Sequence, residues 1–410
     1  MRKTKFLILI CIILALYSCQ KKSPTETPPD NNIHPQQDIP WPSLADSPWP
    51  SPHGNVQCNG RSKYIGPREG IVAWIFTDER FVNENSGVVL GSDGTIYFTA
   101  GKNSRVMKRY LYALKPVGSL KWKKEIEGKF ASTPILGTGD IIYVPTYFGP
   151  IYAFNPDGTL KWKYGTSMYC SHTFSPVIGL DGSIYFADNY GNWHAINADG
   201  TLKWMNEEKA NSSEILPYSY SLVMSPDGAV IYGGGLDATL NAFDAQTGTI
   251  LWEVPTGRNL IASPLVDSNG NIYFFQFDST GYHICSINSE GKLRWKGNHK
   301  LNWWISFHMD KDGNIYAYSE DQRILSFDYE GNLRWSSSTL GEVWPSSIIG
   351  DSEGVIFFAH TDTYVIALDQ EGHTIFKCSL PDLSDGLFMG ALSSDGHLYL
   401  SGKYQFFCIK

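Results

Sequence analysis

Eight times along the chain a glycine is followed by a short strand in which aliphatic and aromatic residues alternate, as in SDGTIYF (Ser92 to Phe98) and KDGNIYAY (Lys311 to Tyr318). The glycines are Gly94, Gly139, Gly182, Gly228, Gly270, Gly313, Gly354 and Gly396, so consecutive copies stand 45, 43, 46, 42, 43, 41 and 42 residues apart. That period is the length of one four-stranded propeller blade. A blade cannot bury both its faces alone, so a repeat of this kind has to close into a ring.

A second pattern interleaves with the first. A glycine stands four residues ahead of Trp122, Trp162, Trp204, Trp252, Trp295 and Trp335, and in a seventh copy ahead of Phe376. The glycine suits a hairpin turn that demands positive φ, and the ring in the following strand is placed to cover a neighbouring blade. The chain stops at Lys410 one strand short of a complete unit, while IVAWIF, around Trp74, precedes the first unit without a hairpin of its own. Seven complete units plus one assembled from both ends predict an all-β, eight-bladed β-propeller closed by N- and C-terminal strands. Seven blades with a stray strand is the competing arrangement. Helical periodicity is essentially absent, and the even period leaves no internal boundary, so residues 53–410 read as a single domain.

The first residues have a different character. Arg2, Lys3 and Lys5 precede an apolar run from Phe6 to Leu16 that is too short for a good membrane span. Leu16-Tyr17-Ser18-Cys19 resembles the bacterial lipobox, although Tyr17 is bulkier than is usual there. The resemblance implies that residues 1–18 are a signal peptide and that lipid on Cys19 attaches the chain to a membrane. Gln20 after the cysteine resembles an outer-membrane address, on the periplasmic face or the cell surface. The polar, proline-rich residues 19–52 are expected to form a flexible tether. Removing the signal takes away three positive charges and moves the formal net charge from −8 to −11. With no run of Lys or Arg after Lys22, a nucleic-acid partner is excluded. Beyond Cys19 five cysteines remain, Cys58, Cys170, Cys285, Cys378 and Cys408. Their odd number and wide spacing give no disulfide framework or CxxC metal pattern; Cys378 with Cys408 is the one candidate pair, and buried, inert thiols are the alternative.

At ALKPVGSLKW, AFNPDGTLKW, AINADGTLKW and AFDAQTGTILW (Ala242 to Trp252) the chain resembles the PQQ-like β-propeller repeat. Ser47 to Pro67, with its Trp-Pro pair and Gly-Arg-Ser, is similar to the segment that opens such proteins. The resemblance implies one of two functions: a non-catalytic lipoprotein that scaffolds outer-membrane assembly or binds partners, or a quinoprotein alcohol or sugar dehydrogenase holding PQQ and Ca²⁺ on the axis. The dehydrogenases are longer and carry an adjacent Cys-Cys pair that is missing here. No Glu, Asn and Asp set matches their Ca²⁺ ligands either. The expectation is therefore a protein- or glycan-binding scaffold of the cell envelope with no catalytic residues, no metal and no cofactor. A small quinoprotein dehydrogenase-like enzyme using PQQ with Ca²⁺ in the axial funnel is the alternative.

Asp310-Lys-Asp312-Gly-Asn314 and Asp267-Ser-Asn269-Gly-Asn271 imitate the start of an EF-hand loop, but isoleucine stands where the loop needs its glycine. Both are expected to be hairpin turns, with Asp-Gly and Asn-Gly favoured where both turn residues have φ > 0. His172 and His194, or Ser171 beside His172, lack an acidic partner and read as structural. In such a ring, loops from an outer strand to the next inner strand share a face with those between second and third strands. Those loops carry Tyr147, Phe148, Tyr169, Tyr190, Tyr218, Trp303, Trp304 and Trp344, with Arg258 as a charged element. They form a candidate face for sugar rings or an extended peptide, with blade-to-blade packing as the alternative role.

Overall fold

Each repeat opens on a turn whose chemistry is visible in blade 6, between the inner strand His308–Met309 and the second strand Ile315–Tyr318. The Asp310 carboxylate accepts hydrogen bonds from the backbone N–H groups of Asp312 and Asn314 (2.9 Å each) and from Asn314 Nδ2 and the Tyr316 hydroxyl (2.8 Å each). Gly313 completes the turn at φ 83°, and it alone among the turn residues has positive φ. The turn is thus a type I bend followed by a left-handed glycine, rather than the doubly positive turn expected from Asp-Gly. All eight hairpin glycines share this positive φ.

The computed structural model describes residues 33–410 except 80, 84–85, 103–107, 129, 148, 166–174, 188–191, 207–221, 235–237, 259, 261, 303–305, 342–347, 361–363 and 382–389. Eight antiparallel sheets are built from inner, second, third and outer strands, as in blade 3: Val177–Ile178, Ile184–Ala187, Trp193–Ile196 and Leu202–Asn206. Blade 8 takes Ala391–Leu392, Leu398–Ser401 and Phe406–Ile409 from the C-terminus and Val72–Phe76 from the N-terminus, with Trp74 opposite Cys408. The two ends of the chain therefore close an eight-bladed ring. Turns from inner to second and from third to outer strand lie on one face, hereafter the turn face. The remaining connections form the loop face.

Strand alternation divides each blade between its neighbours. Ile96 and Phe98 of blade 1 are buried with residues of blade 8, whereas Tyr97 is buried with residues of blade 2. The outer-strand tryptophan lies against the second-strand tyrosine of its own blade, at 5.9 Å for Tyr97 with Trp122 and 5.6 Å for Tyr232 with Trp252. Its indole N–H then donates to a backbone carbonyl in the next blade's outer turn: Trp122 to Pro156, Trp162 to Ala198, Trp204 to Ala245, Trp252 to Ser289 and Trp295 to Tyr329, all at 3.0 Å, and Trp335 to Gln370 at 2.6 Å. The glycine of that turn lies under the same ring. A Cβ on Gly331 would stand 2.6 Å from Trp295, and Gly331 has φ 83°. Each glycine thus serves the tryptophan of the preceding blade, which explains why the two residues recur together. Blade 7 keeps the geometry with Phe357 and Phe376, and Phe376 covers Gly70.

The segment expected to be a tether as far as residue 52 is packed against the ring from His34 onward. Residues 1–32, with the expected signal peptide and Cys19, lie outside the described residues. His34 donates its N–H to Asp312 O (3.0 Å) and stacks on Tyr329 at 4.1 Å. Gln36 bonds Lys311 O (2.7 Å) and, through Oε1, accepts from Ser268 N (2.9 Å). Trp41 Nε1 donates to Ile178 O (2.7 Å), Ser43 Oγ to Gly179 O (2.6 Å) and Ala45 N to Leu136 O (3.0 Å). This strap crosses the turn face from blade 6 over blade 5 to blades 3 and 2. Its prolines have no N–H to satisfy, the donors of His34, Gln36, Trp41, Ser43 and Ala45 meet carbonyls of the ring, and Trp41 and Leu44 are buried.

Candidate functional site

The inner strands leave backbone groups unpaired toward the axis, and a propeller must satisfy them. Here the chain's own residues 49–62 do so at the turn-face end. Leu90 N bonds Trp49 O (2.9 Å), Leu136 N bonds Pro50 O (2.8 Å), Met224 N bonds Val56 O (2.9 Å), Val266 N bonds Gln57 O (3.0 Å), Met309 N bonds Asn59 O (3.0 Å) and Gly350 N bonds Gly60 O (2.9 Å). These partners belong to the inner strands of blades 1, 2, 4, 5, 6 and 7. The segment is a plug folded on itself, with Gly60 N bonded to His53 O at 3.0 Å and His53 and Cys58 at positive φ. Trp49 is wholly buried.

The plug is polar at its centre. Burial, and then the neighbouring His308, lowers the His53 pKa to about 4. Burial likewise lowers His308 to about 3, and its Nδ1 lies 2.9 Å from Asn59 O. Both rings are therefore neutral at pH 7. Burial pushes the Cys58 thiol up to about 12, so it is no nucleophile. Sequence reasoning noted this segment as an opening element but missed its place on the axis, because nothing in its composition separates a plug from a linker.

On the loop face, the predicted aromatic set is almost wholly beyond description: the side chain of Tyr147, and all of Phe148, Tyr169, Tyr190, Tyr218, Trp303, Trp304 and Trp344, lie outside the described residues. Arg258 is described. It is exposed, and its guanidinium lies 3.9 Å from the Phe277 ring centroid. Beside it, the Asp278 carboxyl is held well below the usual range, first by Lys296 Nζ at 2.6 Å and then by Thr280. A neighbouring cavity of about 490 Å³ between blades 5 and 6 is lined by His299, Lys300, Glu320, Asp321 and Arg323, with Arg323 paired to Asp321 at 3.2 Å. The described part of this face is a surface of mixed charge.

A bound PQQ–Ca²⁺ pair would need carboxylate oxygens free to coordinate. The buried aspartates among the described residues are Asp267, Asp310, Asp328 and Asp351. Asp267 accepts from the backbone of Asn269 and Asn271, from Asn271 Nδ2, and from the hydroxyls of Tyr273 and Tyr329. Asp328 is similarly taken by Glu330 and Asn332, and Asp351 by Glu353, Val355, Gly66 and Arg68. Together with Asp310, each spends its oxygens on the chain's own donors, so none of these four is free to hold such an ion.

His194 is a strand residue stacked on Phe186 at 4.8 Å, while His172, Ser171 and Cys170 lie outside the described residues. Cys58, Cys285, Cys378 and Cys408 are buried free thiols, so the candidate Cys378–Cys408 bond is absent. One cluster escaped sequence reasoning: Asp369, Glu371 and His373 bring ligand atoms within 4.8 Å of one another on the exposed outer turn of blade 7. In the equivalent turn of blade 6 the histidine's place is held by Asn332.

The family profile described as outer membrane protein assembly factor BamB matches residues 59–232 and 236–377. The chain belongs to this PQQ-like propeller family. No curated protein sequence matches it. Among solved structures, BamB from Moraxella catarrhalis is similar at 14% identity with a TM-score of 0.62, covering 83% of this chain and 97% of its own. A quinohemoprotein alcohol dehydrogenase from Pseudomonas putida HK5 is similar at 13% identity with a TM-score of 0.68, covering 91% of this chain and 83% of its own. One from Comamonas testosteroni, also at 13% identity, has a TM-score of 0.63 and covers 88% and 80%. At such identities the likeness is one of fold alone.

Proposed function

We propose that the protein is a non-catalytic scaffold of the bacterial cell envelope, anchored by lipid on Cys19, that presents its loop face to a protein or glycan partner. The observation that carries this reading is the turn-face end of the axis closed by the chain's own plug, in a propeller whose family profile is that of an assembly factor. A rigid ring with a sealed turn face offers its opposite face as a platform. The charged groups around Arg258, Lys300 and Arg323 set orientation and encounter rate rather than chemistry.

The test is affinity capture from envelope extracts with the purified chain as bait, compared with Arg258→Glu/Lys300→Glu. A defined partner retained by the wild type and weakened by the variant supports the reading. Dye reduction with alcohols or aldoses after incubation with PQQ and Ca²⁺ would replace it with the quinoprotein reading.

A further inference from the structure

Two buried imidazoles stand where the plug meets the ring: His53 in the plug and His308 on the inner strand of blade 6. The Nδ1–H of His308 donates to Asn59 O at 2.9 Å, the carbonyl that also accepts from Met309 N at 3.0 Å. Its Nε2 has no hydrogen-bond partner and lies against the backbone of Gly350 in blade 7, where a Cβ would stand 2.1 Å from it. The Nδ1 of His53 is likewise buried without a partner.

His308 has no room for a second proton where it stands. An N–H at Nε2 would point into Gly350, whose own N–H is bonded to Gly60 O at 2.9 Å, and would be left without an acceptor. The charged groups around the pair offer no relief. Arg61 of the plug acts on His308, and His308 acts on His53, so each new cation would meet another. Asp38 of the strap is paired to Arg61 at 2.6 Å. In blade 6 the Asp310 carboxylate is taken by its own turn and the Tyr316 hydroxyl, and in blade 7 Asp351 is paired to Arg68 at 2.6 Å. Among the described residues no carboxylate lies within ion-pair reach of either ring.

We infer that the plug is an acid-released seal: protonation of His53 and His308 frees residues 53–62 from the inner strands of blades 4 to 7 and opens the turn-face end of the axis, while the blades stay folded. The ladders within the blades do not pass through the plug, so the ring keeps its closure when that segment leaves. Its departure turns the N–H groups of Met224, Val266, Met309 and Gly350 toward the axis without acceptors. Both histidines titrate lower in the closed form than the ordinary value near 6.5, so opening is favoured by about tenfold per pH unit for each of them as pH falls from 6.5 toward 4.

Cys58 reports the opening, because it lies in the released segment beside Ser263, whereas Cys285, Cys378 and Cys408 are buried in the blades. The full chain is labelled with 4,4′-dithiodipyridine from pH 7 to pH 4, each thiol being identified by peptide mapping and its rate divided by that of the urea-unfolded chain at the same pH. Between pH 5.5 and pH 4.5 the Cys58 rate is expected to rise about tenfold or more while the other three thiols stay silent. His53→Gln should make that rise less steep, and His53→Gln/His308→Asn should remove most of it, the asparagine keeping a donor for Asn59 O. A Cys58 rate that does not rise in the wild type overturns the proposal, as does a rise shared by all four thiols, which would be unfolding of the whole ring. An equal rise in the wild type and in His53→Gln would remove His53 from the device. The loop-face platform does not depend on this seal and is tested separately by partner capture.

Discussion

The indole N–H of Trp74 donates to the carbonyl of Pro116 at 3.0 Å, joining the last blade to the first. It is the same bond that links every tryptophan-bearing outer strand to its successor, made here by a strand from the opposite end of the chain. A Cβ on Gly118 would lie 2.6 Å from that ring, so the contact is close-packed. Trp74→Ala should lower stability by about 3 kcal/mol or more through lost packing. Trp74→Phe should cost about 1 kcal/mol, the net worth of the hydrogen bond. Urea titrations of the three proteins check both values; an unchanged midpoint for the alanine variant would contradict closure at this contact.

Trp49 anchors the plug, and its removal should cost about 3–5 kcal/mol. Because the plug bonds to six inner strands, the loss should spread. Hydrogen exchange of Trp49→Ala is expected to accelerate at Leu90, Leu136 and Met224 together, not at Leu90 alone.

The histidine pair makes stability pH-dependent. His53 and His308 titrate near 4 and 3 when folded but near 6.5 when unfolded, so below pH 6.5 the unfolded chain binds more protons. Their contribution is complete above pH 6.5 and is lost as pH falls toward 4, by about 3 kcal/mol for His53 if it titrates alone. Melting temperatures measured from pH 7 to pH 4 should fall less steeply for His53→Gln than for the wild type.

Tyr329 links blades 5 and 6 by donating to Asp267 Oδ2 at 2.7 Å beneath the His34 ring. Tyr329→Phe keeps the stacking and removes a hydrogen bond to a buried carboxylate, a loss of about 2 kcal/mol that calorimetry can read.

The four described thiols should be silent toward a thiol reagent in the folded protein. Burial raises Cys58, Cys285 and Cys408 to about 12, and Cys378 is also raised by burial. Fast labelling of any of the four under native conditions, identified by peptide mapping, would show that its site opens.

The ring was legible because its determinants are local and periodic. The glycine of each hairpin, the aromatic residue of each second strand (tyrosine except for Phe357) and that of each outer strand (tryptophan except for Phe376) recur at fixed offsets, and a single period accounts for all three. Even the join at Trp74 follows from one strand lacking at one end and one spare at the other. The strap and plug were not legible. Residues 33–62 are polar and proline-rich, which suits a linker; they become structure only because inner-strand N–H groups and turn carbonyls, far away in sequence, offer Gln57, Asn59 and Ser43 partners. Asp312 shows a subtler limit, since Asp-Gly alone does not reveal which turn residue carries the positive φ. The charged edge of Arg258 was legible as a loop residue, but its place over Phe277 depends on the neighbouring blade.

Because Val72–Phe76 pairs with Phe406–Ile409, a nascent chain must hold one strand of its final sheet unmated until residues more than three hundred positions later have been made. The disc is thus fastened last at the seam between its ends, and until then an aromatic edge around Trp74 stays open to any strand that arrives first.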